Sequence, residues 1–381
     1  MNRFWFALAS VFCVVLSICL ASPALAQETI KIGHYGSLTG SEATFGQSTS
    51  NGLKLAINEI NTAGGIGGKK IELIEYDTKG EPKEAGAVVT RLCTKDKVVA
   101  VVGEVASSLS LAGAPVCQQY GVPMISPSST NPKVTQQGDM IFRTCFVDPF
   151  QGYVCAKFAT ETKKFKTAAV LLDQSQAYSV GLAEEFEKAF VKMGGTITIR
   201  QQFNKGEQDF TARLTAIRGT SPDVIFVPAY YNDVGNIAIQ ARKLGITAPL
   251  LGGDGWDSSK LVEIGGKALE GCYYSNHTSP TADNPNKLLQ QFIATYKDEY
   301  GSAPDALGAM GYDAGRLLFD AMNRANGKLD GKSLAKAIGE TKDFAGATGK
   351  ITINEHRDAT KSAVILEVKN GQIAYVATIE P

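Results

Sequence analysis

Hydroxyl, aromatic and carboxylate side chains recur in five short segments, each of which follows a run of apolar residues. Their key members are Ser107 with Ser108, Ser128 with Thr130, Tyr178, Tyr230 and Asp254. Hydroxyls and free backbone N–H groups at the start of a helix suit a carboxylate, whereas a buried carboxylate needs a cation or a hydrogen-bond donor. This mixture favours recognition of a small polar ligand over catalysis.

Each segment also has a plainer structural interpretation. Ser107 or Ser108 could simply cap a helix, and Ser128 to Thr130 could be ordinary turn residues. A single Asp or Tyr in a loop is usually a solvated turn residue. The binding interpretation rests on the fact that all five segments carry donors, acceptors or aromatic rings.

Signatures of catalysis and of cofactor binding are missing from the sequence. The glycine-rich stretch 64–68 precedes a predicted strand, whereas a nucleotide-binding loop must follow one. Neither GxSxG nor HExxH occurs, and His34, His277 and His356 match no zinc spacing. We therefore expect a protein that is not an enzyme and that needs neither a cofactor nor a metal ion.

The elements around these segments give them a common location. Apolar runs such as 98–102 and 224–227 predict buried parallel strands, and segments with helical spacing such as 45–62 lie between the strands. Strand and helix alternate in two successive blocks, which predicts an α/β fold with two open, mostly parallel sheets. Ligands of such sheets bind beyond the carboxyl ends of the strands, where the five segments lie.

The first residues have the layout of a secretory signal peptide over 1–26, with a small-residue cleavage site at Ala24–Ala26. A membrane anchor is the alternative, but Pro23 and the cleavage site directly follow the apolar run. A lipoprotein is disfavoured because the residue before Cys19 is not small. We expect a mature chain that begins at Gln27 outside the cytoplasm.

The composition excludes two classes of protein. The 381 residues include 38 Lys+Arg and 38 Asp+Glu, and 44% of the residues are hydrophobic. A nucleic-acid-binding protein would need a clustered excess of positive charge, and a disordered chain would be poorer in apolar residues. At this length two domains are more natural than one hydrophobic core.

Five cysteines follow residue 26, so at least one of them must stay unpaired. Export would permit disulfides, and Cys93/Cys117 and Cys145/Cys155 are candidate pairs. Buried free thiols are at least as good an interpretation, because the sequence does not determine which cysteines pair.

Further short motifs run along the mature chain. They include 38–40 (LTG), 56–61 (AINEIN), 64–68 (GGIGG), 125–132 (ISPSSTNP), 228–231 (PAYY), 240–245 (QARKLG) and 311–313 (GYD). Together they resemble the periplasmic leucine/isoleucine/valine-binding protein family, the soluble receptors of ABC importers. The resemblance covers essentially the whole mature chain.

This resemblance implies two Rossmann-like lobes with mostly parallel sheets, joined by three hinge crossovers and closing on a ligand. We expect residues 27–147 and 278–357 in the first lobe, and residues 148–277 and 358–381 in the second. It also implies a periplasmic monomer whose partners are a small-molecule ligand and the membrane permease of an ABC importer, with no nucleic acid.

The resemblance also implies roles for the polar residues of the five segments. Ser107 would hold the carboxylate of an amino acid, and Ser128 and Thr130 would bind its carboxylate and ammonium groups. Asp254 would bind the α-ammonium. Leucine-type receptors have Glu at this position, and Asp254 is shorter by one methylene. This difference affects which ligand side chain the pocket prefers.

The aromatic residues receive roles in the same way. Tyr178 and Tyr230 match the two tyrosines of the second lobe, and Phe45 matches the aromatic residue that packs on the side chain of the ligand. Trp256 is a bulky neighbour of the acidic position that could reshape the pocket or line its apolar part.

These implications predict a receptor for a neutral amino acid of branched-chain or other aliphatic type. The alternative is a receptor or sensor of the same fold for amides, urea or aromatic acids. A ligand without an amino group would leave the charge of Asp254 unpaired, which disfavours the alternative.

Overall fold

Apolar runs with the pattern of buried strands form the centres of two separate sheets in the computed structural model, which describes residues 28–281 and 283–381. The predicted signal peptide and its cleavage site before Gln27 lie outside the described residues.

The first sheet has five parallel strands in the order β2-β1-β3-β4-β5. The strands are β1 (Ile30–Gly36), β2 (Ile71–Asp77), β3 (Ala100–Val102), β4 (Met124–Ser126) and β5 (Ile141–Arg143). Helices α1 (Ala43–Thr62), α2 (Pro82–Arg91) and α3 (Ser107–Tyr120) connect the first four strands. Every residue of β3 is buried, as expected for a central parallel strand covered on both faces.

The chain then builds a second sheet, again by alternating helices and strands. The helices are α4 (Asp148–Lys157), α5 (Ala177–Lys192), α6 (Thr211–Gly219), α7 (Tyr231–Lys243) and α8 (Ser259–Gly265). The strands are β6 (Thr167–Asp173), β7 (Thr196–Phe203), β8 (Val224–Phe226), β9 (Leu250–Gly252) and β10 (Tyr273–Asn276), all paired in parallel.

After β10 the chain returns to the helices of the first sheet. It forms α9 (Lys287–Tyr300), α10 (Ala306–Arg324), α11 (Gly331–Gly339) and a small antiparallel sheet of β11 (Phe344–Gly346), β12 (Gly349–Ile353) and β13 (Ala359–Thr360). Helix α10 packs along α1. The two backbones approach so closely that a Cβ on Gly52 would lie 1.8 Å from the carbonyl oxygen of Gly308.

A last antiparallel pair, β14 (Ala363–Lys369) and β15 (Gln372–Ile379), completes the second sheet. Because β14 pairs with β10, the order of this sheet is β15-β14-β10-β9-β8-β6-β7. The chain therefore crosses three times between a first lobe, built on the five-stranded sheet, and a second lobe, built on the seven-stranded sheet. The predicted α/β fold class is confirmed, and the residue boundaries of the lobes remain a prediction.

Some elements differ from the sequence-based expectation. Strands β5 and β10 were not predicted. The sequence also predicts a helix over about 150–162. The structure has an α-helix only as far as Lys157, followed by a wider π-helical turn over Phe158–Thr162. Within the described ranges, no helix is both long enough and apolar enough to cross a membrane.

The five cysteines of the described chain are free thiols, so neither Cys93/Cys117 nor Cys145/Cys155 is a disulfide. Cys145 donates to the carbonyl oxygen of Ser129, and Cys155 donates to that of Gly252. Burial raises the pKa of both thiols to about 12, as expected for inert core residues.

Candidate ligand-binding site

The predicted binding segments lie at the carboxyl ends of parallel strands in both lobes. Ser107 begins α3 after β3, and Ser128 and Thr130 follow β4. In the second lobe, Tyr178 lies in the first turn of α5, Tyr230 precedes α7, and Asp254 follows β9. All seven predicted side chains, including Phe45 on α1, are buried, with Tyr230 the most exposed at 7%.

Three aromatic rings join the two lobes. The ring of Phe45 meets that of Tyr230 edge-on, with centroids 5.2 Å apart, and Tyr230 stacks on Tyr178 at 5.3 Å. Burial raises the pKa of both tyrosines well above the ordinary value, so their hydroxyls stay protonated. The Tyr178 hydroxyl accepts from the backbone N–H of Gly255 at 3.0 Å, whereas the buried Tyr230 hydroxyl has no hydrogen-bond partner among the described residues.

The carboxylate of Asp254 is held by three side chains. Its Oδ1 accepts from Nε2 of Gln151 at 2.9 Å, and its Oδ2 accepts from Oγ of Ser128 at 3.3 Å and from Nε2 of His277 at 3.0 Å. A carboxylate offers about four acceptor positions, so these three hydrogen bonds do not use its whole acceptor capacity. The expectation that Asp254 would be unpaired without an ammonium group is therefore wrong.

His277 is a neutral partner of this carboxylate. Burial lowers the pKa of the imidazole, and a carboxylate only accepts, so the proton on Nε2 points towards Asp254. The ring packs on Phe146 with centroids 4.1 Å apart. Its Nδ1 is buried and has no hydrogen-bond partner within the described chain, which leaves it as an unused acceptor.

The serines at the start of α3 bind loops and do not cap the helix. Ser107 Oγ accepts from the backbone N–H of Asn131 at 3.3 Å. Ser108 Oγ accepts from the N–H of Ala177 at 2.9 Å, across the cleft. The cap position itself is Ala106, without a side-chain hydrogen bond. The simple capping interpretation of Ser107 and Ser108 is therefore excluded.

A buried cation supports the loop that carries Ser128 and Thr130. The guanidinium of Arg143, at the end of β5, donates to the carbonyl oxygens of Ser129 and Asn131, the latter at 2.9 Å. Its Nε also lies 2.7 Å from Oδ1 of Asp358, near the third crossing of the chain. Arg143 thus fixes the backbone on both sides of Thr130.

Trp256 has a packing role in the second lobe. Its side chain is completely buried, and its Nε1 donates to the carbonyl oxygen of Val227 at 2.9 Å. The indole stacks on Tyr274 with centroids 5.8 Å apart. These contacts anchor the short turn that carries Asp254 and Trp256 to the second sheet. That Trp256 lines the apolar part of the pocket stays a prediction.

Three residues of this site were not predicted from the sequence: Gln151, His277 and Arg143. Gln151 lies inside a predicted helix, where its type carries no signal. His277 follows β10, which was not predicted. The sequence therefore did not show that His277 lies at the carboxyl end of a strand. Arg143 directly precedes the second βα block and resembles an ordinary linker residue.

Comparison with known proteins gives a family match over most of the chain. The family model of periplasmic binding proteins matches residues 29–372. The leucine-, isoleucine-, valine-, threonine- and alanine-binding protein of Pseudomonas aeruginosa is 31% identical over 373 residues, which cover 94% of this chain and 98% of that protein.

Solved structures agree with the fold described above. A leucine-binding protein, LivK, from Thermotoga maritima superposes with a TM-score of 0.89 at 41% identity, covering 93% of this chain and 99% of that one. The substrate-binding protein LivJ of Streptococcus pneumoniae, solved with isoleucine, has a TM-score of 0.87 at 33% identity and covers 93% and 100%.

A third structure carries a different kind of ligand. An ABC-transporter solute-binding protein of Rhodopseudomonas palustris, solved with 3,4-dihydroxybenzoic acid, has a TM-score of 0.82 at 27% identity and covers 92% of this chain and 97% of that one. The matches as a whole show that the chain belongs to the periplasmic leucine/isoleucine/valine-binding protein family.

Proposed function

We propose that this protein is the extracytoplasmic substrate-binding component of an ABC importer and binds a neutral amino acid, of branched-chain or other aliphatic type, between its lobes. The observation that carries the proposal is the buried Asp254 carboxylate, which Ser128, Gln151 and His277 orient at the carboxyl end of β9. The leucine- and isoleucine-binding relatives support it.

The two charges of an amino acid would be bound at separate places. Its carboxylate would lie at the start of α3, where Ser107 and the positive end of the helix dipole favour an anion. Its ammonium would donate to Asp254 and to the Thr130 hydroxyl. Because both charges would be buried, each needs such a partner to offset the loss of water.

The aliphatic side chain would pack against the aromatic rings that join the lobes. Phe45 comes from the first lobe and Tyr230 from the second, so a side chain between them would be enclosed only when the lobes meet. Closure of this kind removes water from the polar contacts and strengthens them. It would also present an altered surface to the importer permease.

The proposal includes a location and an assembly state. We propose that the chain is exported after cleavage at residue 26, acts in the periplasm as a monomer, and releases its ligand unchanged to the permease. The family of periplasmic binding proteins supports the location.

A receptor for an aromatic acid is the second candidate. Asp254 already has donors from Gln151, Ser128 and His277, so a ligand without an ammonium group would not leave this carboxylate unpaired. The relative solved with 3,4-dihydroxybenzoic acid supports this alternative.

The two candidates are separated by a ligand screen of residues 27–381. The protein is first unfolded and refolded to remove any bound ligand, and its melting temperature is then measured with Leu, Ile, Val, Thr, Ala, hydroxybenzoates and amides. A ligand at a hundred times its Kd adds about 2.7 kcal/mol of stability, or several degrees. A shift with aliphatic amino acids is expected; a shift with aromatic acids alone would replace the proposal by the alternative.

A further inference from the structure

A lysine of the second lobe reaches into the first lobe at the mouth of the cleft. Lys205 lies in the loop between β7 and α6, and its Nζ is 2.7 Å from Oε1 of Glu42. The same Nζ donates to the carbonyl oxygen of Gly80 at 2.9 Å. Glu42 directly precedes α1 and Gly80 follows β2, so both acceptors belong to the first lobe.

The acceptor Glu42 is poorly hydrated. Its side chain is only 3% exposed, and burial raises the pKa of its carboxyl to about 7 although Lys205 opposes that shift. Removing the ammonium would therefore leave a buried acid without its cation, a larger loss than breaking a pair on the surface.

Neighbouring contacts concentrate on the same stretch of the first lobe. Tyr231 donates to the carbonyl oxygen of Ser41 at 2.8 Å, and Ser258 bonds the hydroxyl of Thr44 at 3.0 Å. The next residue along the chain is Phe45, whose ring meets Tyr230. Residues 41–45 thus contact the second lobe repeatedly. Among these contacts, the one between Lys205 and Glu42 is an ion pair.

A groove of about 770 Å³ runs along this contact and is lined by Lys205, Glu42, Asp233 and Tyr230 among others. Asp173 and Asp233 belong to the second lobe and lie near enough to Lys205 to interact with its charge. When the lobes separate, these carboxylates can still balance the lysine. The bond to Glu42 and Gly80, by contrast, exists only while the lobes are together, so it favours the closed form.

We propose that Lys205 is a positioning residue that holds the cleft closed through Glu42 and Gly80 and so sets how long a bound ligand stays. The inference rests on the proposed binding function, since it assumes that the cleft holds the ligand. Lys205 is not among the residues expected to touch the ligand, so its effect falls on the rate of release and not on recognition.

The test compares Lys205→Met with a matched control, Lys54→Met. Lys54 forms an ion pair of 2.8 Å with Glu75, but both residues belong to the first lobe. With L-isoleucine as the probe, stopped-flow fluorescence should give Lys205→Met a dissociation rate about tenfold faster than wild type, with little change in the association rate. Lys54→Met should match wild type.

A double-mutant cycle assigns the effect to the ion pair. Glu42→Gln should also speed dissociation, and adding Lys205→Met to it should cost less than Lys205→Met alone. Equal dissociation rates in wild type and Lys205→Met would overturn the inference.

A second measurement keeps the inference separate from the proposed function. Small-angle scattering of the ligand-free proteins should give Lys205→Met a larger radius of gyration than wild type or Lys54→Met. If wild type fails to bind L-isoleucine, the proposed ligand is wrong, and equal radii in the three proteins would then reject the closing role of Lys205.

Discussion

Nε2 of His277 lies 3.0 Å from Oδ2 of Asp254, and the two residues follow neighbouring strands, β10 and β9. Gln151, from helix α4, bonds the other carboxylate oxygen. Donors on both oxygens fix the rotation of the Asp254 side chain. This support matters because an aspartate reaches less far than a glutamate, so its orientation decides whether a ligand can meet it.

Replacing His277 should weaken amino-acid binding. In His277→Ala the Asp254 carboxylate loses a donor and part of its orientation, and we expect the Kd for L-isoleucine to rise about fivefold to fiftyfold. Titration calorimetry at pH 7.5 measures this change. His356→Ala is the control, since His356 is exposed. An unchanged Kd in His277→Ala would show that the imidazole does not contribute to binding of the ammonium group.

Asp254→Asn separates the two candidate ligands. The amide keeps the shape of the side chain but not its charge, so a buried ammonium would lose its counter-ion and L-isoleucine affinity should fall at least about a hundredfold. Affinity for 4-hydroxybenzoate, which carries no cation, should not fall. Calorimetry with both compounds checks this, and unaltered L-isoleucine affinity would contradict the site assignment.

Asp148 should make stability depend on pH. Burial raises the pKa of its carboxyl from 3.8 to about 8, so the folded protein keeps a proton that the unfolded chain loses near pH 4. The contribution of Asp148 to the free energy of unfolding is therefore fully present below about pH 4 and is lost as the pH rises towards 8. The free energy of unfolding should fall by at most about 1.4 kcal/mol per pH unit from this group.

The check is the free energy of unfolding in urea between pH 5 and pH 9. Asp148→Asn cannot ionise, so its stability should fall less steeply with pH than that of wild type. Some slope should remain, because burial also raises the pKa of Glu42 and of Asp233 to about 7. The exposed Asp298→Asn is the control. Parallel curves for wild type and Asp148→Asn would show that Asp148 ionises normally.

Gly52→Ala should destabilise the first lobe. The new methyl would lie 1.8 Å from the Gly308 carbonyl oxygen and 2.9 Å from the backbone nitrogen of Tyr312, so α1 and α10 would have to move apart. We expect a loss of about 2 kcal/mol or more in urea denaturation. Gly219→Ala is the matched control, because that helical glycine has open space around it and should be neutral or stabilising.

Much of the fold could be predicted because its signals are local. The apolar run ending at Val102 and the helical spacing around Leu53 each identify one element, and their alternation implies parallel sheets. The position of the five segments at carboxyl ends followed from this alternation. Strand β5 was missed because only two of its three residues, Ile141 and Phe142, are apolar, so it lacks the longer apolar run that identifies β3. Strand β10 was missed because Ser275 and Asn276 interrupt its apolar pattern.

The contacts inside the site could not be predicted in the same way. His277 is 23 residues from Asp254 and Gln151 is 103 residues away, so only the pairing of strands and the packing of α4 bring them together. The same holds for Lys205, whose partner Glu42 lies in the other lobe. Residues at such separations form no periodic pattern and no motif in the sequence. Their roles are therefore visible only in the tertiary structure.

The number of crossings has a practical consequence. Because the chain passes between the lobes three times, an odd number, strand β1 lies in the first lobe and strand β15 in the second. Fluorophores attached near Glu28 and Glu380 would therefore be carried by different lobes. Energy transfer between them would report hinge motion directly, without any label inside the cleft.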